Sequence, residues 1–408
     1  MPLLSLWASN PAAVAQLSID QVVSTAGQGV LLDGSECSHE LREYLRQIPS
    51  EKLDAYISQC LASKVDKGGM VLQDLVNELG RRLDYEVMNG RYQGVRSAIG
   101  FDGLWRSSEG HTLIAEVKTT DAYRISLDTI ARYRDQLIER GEIKGPSSIL
   151  IVVGRQDTGE LEAQIRGSRH AWDVRLISAE ALLKLIQLKE NADASETAPK
   201  IRSILVPREY TRLDGMIDVM FTTARDLESA ATDAPSESEV ANDAEPFLQV
   251  GEDSEPTKAG WAFTDAELLQ AKRERILESV AAREGKPLVR KSRALYATSD
   301  QHTRVALTIS KRYNSKVLYW YAYHVPWDRF LSEAERGYLV LGCMDREYAL
   351  VIPRTVISGL LDSLNTTTRD GTTYWHLHLV EQGGQLNLVR SRGAGLVPLG
   401  NYELPLTT

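Results

Sequence analysis

Cysteine is scarce in this chain of 408 residues: Cys37, Cys60 and Cys343 are far apart and show no CxxC spacing. An odd number of separated thiols argues against a disulfide framework and a zinc site, and suits a reducing cytoplasm. Long apolar runs are missing as well. None reaches the roughly 18 to 20 residues needed to span a bilayer. The opening MPLLSLWASNPAAVAQL has neither the basic start nor the sustained apolar stretch of a secretory signal. Nucleotide-binding loops are absent: there is no GxxxxGK followed by Ser or Thr, and no GxGxxG opening a helix. The chain is therefore not expected to be its own ATPase. No GxSxG elbow or HExxH occurs either. Basic residues disappear between Arg225 and Lys258, while Asp and Glu recur throughout.

What is present has the balance of a globular protein, with 43% hydrophobic and 25% charged residues. The length implies two or three domains. A formal net charge of −9 disfavours a general nucleic-acid coat protein. It leaves a nuclease open, because the local field along a groove is what matters there.

Four segments are expected. Residues 1–66 read as helical, with helices over Ala12–Thr25, Ser38–Gln47 and Ser50–Ser63 and Ser38 and Ser50 as N-caps. They form either a small domain or an extension of the next unit. Residues 67–190 alternate helix and strand. The apolar spacing predicts a helix over Met70–Leu83. Strands over Ser97–Trp105 and Thr112–Lys118 are joined by the turn Ser107-Ser108-Glu109-Gly110 as a hairpin. A helix over Ser126–Arg140 follows, then Ser148–Val153 as a strand buried on both faces, a short strand over Asp173–Ile177, and a helix over Ser178–Leu188 capped by Ser178. Residues 191–260 read as an acidic linker interrupted by a helix over 208–228. Residues 261–408 read as a separate α+β domain: a helix over Asp265–Arg283, six strands, and a helix over Arg354–Leu364 among them.

The chemistry concentrates in the hairpin IGFDGLWRSSEGHTLIAEVKTT. Asp102 falls in its first strand, and Glu116 and Lys118 at the end of its second. Residues two apart in a strand share a face, so Glu116 and Lys118 lie together with Thr112 and Ile114, while Leu113, Ala115 and Val117 face the other way. Pairing across a tight hairpin can bring Asp102 beside Glu116. Two carboxylates and an ammonium in one place suit phosphodiester cleavage. Hard oxygen ligands select Mg²⁺ or Mn²⁺, the ion stabilises phosphate charge and lowers the pKa of a bound water, and the ammonium offsets charge in the transition state.

These residues resemble the PD-(D/E)XK nuclease superfamily, which includes restriction endonucleases and Mrr-like enzymes. The resemblance covers about residues 67–190 and implies a restriction-endonuclease-like α/β core. It also implies catalysis by Asp102, Glu116 and Lys118, with metal held by Asp102 and Glu116. Glu78, on the preceding helix, matches the added metal ligand of some members. Tyr133 and Gln136 are candidates for an accessory pair on the following helix, although their order departs from the usual Gln-x-x-x-Tyr. Phe101 stands where a proline often precedes the first aspartate. Glu-x-Lys by itself carries little, since it recurs at Glu142–Lys144 and Glu284–Lys286. The plain alternative is a salt bridge on a strand of an α/β domain.

Weaker signals lie elsewhere. Arg155, Gln156, Arg166, Arg169 and His170 could touch phosphates or form a solvated loop. Arg132, Arg134 and Lys144 could line a groove or form the wet face of a helix. The aromatic run Tyr319–Tyr323, with Trp327, Tyr374 and Trp375, could stack on bases, but core packing is the favoured reading. Arg290, Lys291, Arg293, Lys311 and Arg312 are basic candidates for backbone contact. His376 and His378 share a strand face, as a zinc pair would, or as surface histidines with ordinary partners.

Two functional readings follow. In the first, the chain is a Mg²⁺-dependent DNA endonuclease of restriction or antiphage defence, in which residues 67–190 cut and residues 261–408 choose the target. In the second, it is the nuclease effector of a larger complex, triggered by a partner ATPase or sensor protein. A homodimer suits either, because cutting both strands usually takes two sites. A nonenzymatic interaction protein on a nuclease-like fold is the third, blander reading.

Overall fold

The computed structural model describes residues 2–62, 67–93, 99–119, 125–154, 159–192, 197–207, 266–313, 316–369, 372–391 and 395–407. The expected helix over 208–228 lies outside them. The fold is mixed α/β, in two compact units, Met1–Arg225 and Asp226–Thr408. No helix among the described residues is long and apolar enough to cross a membrane.

The first unit opens with α1 (Pro2–Ser9), α2 (Pro11–Ala15), α3 (Ile19–Thr25), α4 (Glu36–Leu45), α5 (Ser50–Ala62) and α6 (Gly68–Arg82). The single helix expected over Ala12–Thr25 is broken, because Ser18 starts a new helix through a reciprocal capping box with Gln21. Ser35 rather than Ser38 caps α4, accepting from the Ser38 N–H. Ser50 does not cap α5. Its hydroxyl is spent in a buried network, donating to Glu190 (2.6 Å) and accepting from Arg82 (3.0 Å).

The sheet follows: β1 (Glu86–Asn89), β2 (Gly103–Arg106), β3 (Thr112–Lys118), α7 (Leu127–Glu139), β4 (Ser147–Val153), α8 (Gly159–Arg166), β5 (Val174–Ser178), α9 (Ala179–Asn191) and α10 (Thr197–Leu205). Strand order is β1-β2-β3-β4-β5. The first three run antiparallel, and β3, β4 and β5 are parallel. β4 is buried on both faces. Leu150 and Val152 join the core of α1 through α6, α9 and α10, and Ile149, Ile151 and Val153 join the core under α7 and α8. Ser178 caps α9 by accepting from the Ala181 N–H at 3.0 Å.

The N-terminal helices thus share one core with α6 and one sheet face, so packing is continuous across residue 66. Part of the expected linker is also structured. In α10, Ile201 and Leu205, one turn apart, enter the same core. Arg202 beside them donates to the Leu83 carbonyl (3.1 Å) and to Glu109 in the β2–β3 turn (Nε to Oε2, 3.1 Å). α8 was not anticipated either, since only Leu161 and Ile165 mark its buried side.

The second unit contains α11 (Ala266–Glu284), β6 (Val289–Arg290), β7 (Leu295–Ala297), β8 (Thr303–Ser310), β9 (Tyr319–His324), α12 (Val325–Ser332), β10 (Arg336–Cys343), β11 (Tyr348–Pro353) and α13 (Arg354–Ser358). It continues with β12 (Thr366–Arg369), β13 (Thr372–Gln382), β14 (Gln385–Val389), β15 (Leu396–Pro398) and β16 (Glu403–Pro405). The helix expected over Arg354–Leu364 stops at Ser358, and a separate 3-10 turn covers Leu361–Ser363. One sheet has the order β16-β11-β10-β8-β7-β6. The other has β12-β13-β14-β15, with β9 also paired to β13. Between them lies a core of Leu339, Leu341, Leu350 and Ile352 against Tyr319, Tyr321, Tyr323, Leu377 and Leu379. α11 covers the far side of the first sheet through Ile276 and Val280.

Candidate active site

β3 carries two residues of the site by simple alternation. Leu113 and Ala115 point into the core shared with α6, and Ile114 points into a second cluster with Leu104, Leu137 and Ile143. Glu116 and Lys118 continue the Ile114 side. Their ion pair is close, 2.6 Å from Nζ to Oε1, and both side chains keep part of their surface in solvent.

Asp102 reaches them from β2, although not as a strand residue. Pairing runs from Arg106↔Thr112 to Gly103↔Ala115, which sets Asp102 opposite Glu116 one step past the end of the strand. There the backbone leaves the ladder and the side chain takes over. The Asp102 N–H still donates to Ala115 O (3.1 Å), and the carboxylate Oδ2 accepts from the Val117 N–H (2.7 Å). The expected strand over Ser97–Trp105 is therefore shorter: 94–98 lie outside the described residues, and 99–102 are not strand. The other oxygens, Asp102 Oδ1 and Glu116 Oε2, have no hydrogen-bond or ion-pair partner among the described residues.

The electrostatics follow from this crowding. Burial pushes the Asp102 carboxyl up to about 7; the negative charge of Glu116 adds to the rise, and the Val117 N–H and Lys118 oppose it. Burial acts against the Lys118 charge, yet the charge and hydrogen bond of Glu116, with Asp102 behind them, hold its pKa above the usual lysine value. Two carboxylates with uncommitted oxygens on facing residues form a hard-oxygen donor set that fits a divalent cation. Among the described residues no group of three His, Cys, Asp or Glu side chains could hold a metal. A cation at this pair would therefore take its remaining ligands from outside the described side chains, as Mg²⁺ commonly does with water.

Asp102 is also gripped from behind. Its carbonyl oxygen accepts three donors: the Gly90 N–H (2.9 Å), Gln73 Nε2 (3.0 Å) and Asn77 Nδ2 (2.8 Å). Asn77 Oδ1 in turn accepts from the Trp105 indole N–H (2.9 Å). A Cβ on Gly103 would collide with Asn77 Oδ1 and Trp105 Nε1, so this position has room for glycine alone. Sequence reasoning missed these amides. Their signal was a stripe along one side of α6, Gln73, Asn77 and Gly80 at i, i+4 and i+7, facing a Gly-bearing strand.

The other anticipated residues divide. Glu78 is not brought to Asp102. It leaves α6 on another side, into Arg82 (3.2 Å) and Arg81 (3.4 Å), and Arg82 continues to the carbonyls of Leu45 and Ile48. The physical reason is helix phase: the positions of α6 that meet Asp102 are 73 and 77. Tyr133 lies against Gly100, where a Cβ would come 3.1 Å from its ring. It therefore borders the segment leading into Asp102. Gln136, half-buried on the same helix, makes no side-chain hydrogen bond among the described residues. Arg155 and Gln156 lie outside the described residues. Arg166 pairs with Glu162 (3.4 Å), and Arg169 and His170 both bond Asp128 at 2.8 Å. Arg134 is held by Asp173 (3.1 Å), while Arg132 and Lys144 are exposed.

In the second unit the aromatic run splits as alternation demands. Tyr319, Tyr321 and Tyr323 face the inter-sheet core, and Trp320 lies on the opposite face. His376 and His378 are buried, not on the surface. His376 Nδ1 accepts from the Trp320 indole (3.2 Å) and its Nε2 meets Thr367 Oγ1 (2.8 Å). Burial, and then His376, push the His378 pKa down to about 4, so it stays neutral. No third side chain of metal-binding type joins this pair among the described residues. Arg312 is tied to Asp345 (3.2 Å), and Lys311 sits over the Tyr313 ring (5.3 Å).

No protein-family model and no curated protein matches the chain.

Proposed function

We propose that the chain is a metal-dependent DNA endonuclease of the PD-(D/E)XK type, with Mg²⁺ or Mn²⁺ held by Asp102 and Glu116. The observation that carries this reading is the facing pair itself: two carboxylates opposed at the end of a hairpin between α6 and α7, each with an uncommitted oxygen, and Lys118 bonded to one of them. When bound, the ion supplies charge neutralisation at the scissile phosphate and a more acidic water. Asp102 and Glu116 fix where the ion sits. Lys118, positioned by its bond to Glu116, orients the attacking water and offsets the charge that develops on the phosphate oxygens. The three free cysteines are buried, in keeping with a cytoplasmic enzyme.

Within this proposal the second unit selects the target or docks a partner, as in restriction and antiphage effectors. Plasmid cleavage with Mg²⁺ tests the assignment. Wild type is expected to nick or linearise DNA, and Asp102→Ala and Lys118→Ala to lose at least a hundredfold in rate, the order seen when a group acting in the transition state is removed. Equal cutting by all three would sink the reading.

A further inference from the structure

Asp102 stands outside the strand ladder, so something other than sheet pairing has to hold it opposite Glu116. We propose that Gln73 and Asn77, with the Trp105 indole that orients Asn77, are positioning residues for the Asp102 carboxylate. The proposal rests on the nuclease reading for what that carboxylate does, while the positioning itself is a separate, measurable property.

The hydrogen-bond inventory makes the arrangement directional. An indole N–H can only donate, so the Asn77 atom facing Trp105 Nε1 at 2.9 Å has to be the acceptor Oδ1. The Nδ2 group is thereby forced toward Asp102 O, which it reaches at 2.8 Å. Gln73, one turn earlier on α6, adds the second amide at 3.0 Å, and Gly90 adds a backbone N–H at 2.9 Å. A carbonyl oxygen has two lone pairs, and three donors on it leave the 102–103 peptide plane little freedom. Asn77 is fully buried and Gln73 nearly so, so water cannot readily replace either donor. Trp105 is itself fully buried and packs where Gly80 of α6 leaves room: a Cβ there would lie 2.6 Å from the indole.

The residue is therefore held at both ends. α6 and Gly90 fix its peptide, and β3 fixes one carboxylate oxygen through the Val117 N–H. What remains directed by this frame is Oδ1. Residues that orient a ligand without touching the metal typically change its affinity by roughly ten- to a hundredfold when altered.

The test uses the full chain as wild type, Gln73→Met and Asn77→Leu, with thermal melting to confirm folding. Gln73→Met removes one donor at nearly constant shape, so it remains informative if Asn77→Leu fails to fold. Two readouts are taken: Mn²⁺ titration, and hydrogen exchange at the Val117 amide, which reports the Asp102 carboxylate directly. The expected result is Mn²⁺ binding weakened on the order of tenfold and faster Val117 exchange, with the KM for DNA unchanged. If wild type binds no Mn²⁺, the nuclease reading falls, and faster Val117 exchange in the variants still supports the positioning role. Val117 exchange as slow as in wild type overturns the proposal in either case, and where wild type binds Mn²⁺ an affinity unchanged in both variants overturns it as well.

Discussion

Two aspartates of the first unit, Asp74 buried and Asp102 half-buried, have opposite surroundings. Asp74, on α6, is almost completely enclosed, and both its oxygens are engaged: Arg42 donates to Oδ1 (2.8 Å), and the Tyr92 hydroxyl donates to Oδ2. Burial raises its pKa, but Arg42 and Tyr92 both work against that rise. Asp102 has one oxygen engaged by a neutral N–H, and its nearest charged neighbour on the facing strand is another carboxylate. One arrangement neutralises a charge within the protein. The other sets two carboxylates against a single ammonium, Lys118, and leaves one negative charge over. Strain of this second kind clusters at functional sites because the fold alone gains nothing from it.

The contrast can be broken by exchange of roles. Asp74→Ala leaves the Arg42 guanidinium without its counter-charge in the interior and is expected to destabilise the unit by roughly 3–5 kcal/mol; thermal or urea unfolding reads this directly. Asp102→Asn is expected to do the reverse. The folded carboxyl titrates at about 7 rather than near 3.8, so the unfolded chain releases its proton first. Wild type therefore loses stability as pH climbs between those values, and the neutral variant does not. In metal-free buffer at pH 7 Asp102→Asn should be more stable by on the order of 4 kcal/mol. The gap should close below about pH 4. A variant no more stable than wild type at pH 7 would erase the distinction between the two aspartates.

A third pair is intermediate. Arg202 is buried, but its partner Glu109 in the hairpin turn is well exposed. The Arg202 hydrogen bond pulls the Glu109 carboxyl down to about 2. Its contribution to stability is present above about pH 4.5 and fades as the pH falls toward 2. Arg202→Ala should cost about 1–3 kcal/mol, chiefly through the buried Leu83 carbonyl left without its donor, since water can replace the bond to the exposed Glu109. It should also flatten that acid limb, as unfolding curves across pH would show.

Much of this architecture is legible before folding is considered. The unbroken apolar run of β4 marks a strand covered on both sides, and the two-residue spacing of Glu116 and Lys118 places them on one face whatever surrounds them. Ser178 before an amphipathic run announces α9. Other features escape for identifiable reasons. Asp102 reads as strand because its side chain imitates a backbone acceptor, which no pattern of residue types records. β1 is four residues of half-exposed alternation, too short to stand out. Glu78 and Gln73 are equally plausible neighbours of the site from spacing. Only the rotation of α6 about its axis decides between them, and tertiary packing sets that rotation. His376 and His378 look like surface residues until the sheet is covered.

The shared core of the N-terminal helices has a bearing on modularity. A module that folds alone can be excised and fused to a new partner, but the unit around Asp102 and Glu116 has no clean seam. A fragment beginning at residue 67 would strip α4 and α5 from α6 and open the core that Leu72, Leu75, Val76 and Leu79 share with the N-terminal helices. One ending at residue 190 would lose Arg202 from the turn of its own hairpin. Any portable form of this unit has to carry everything from α1 to α10, so its smallest transplantable piece is considerably larger than the hairpin of Asp102, Glu116 and Lys118.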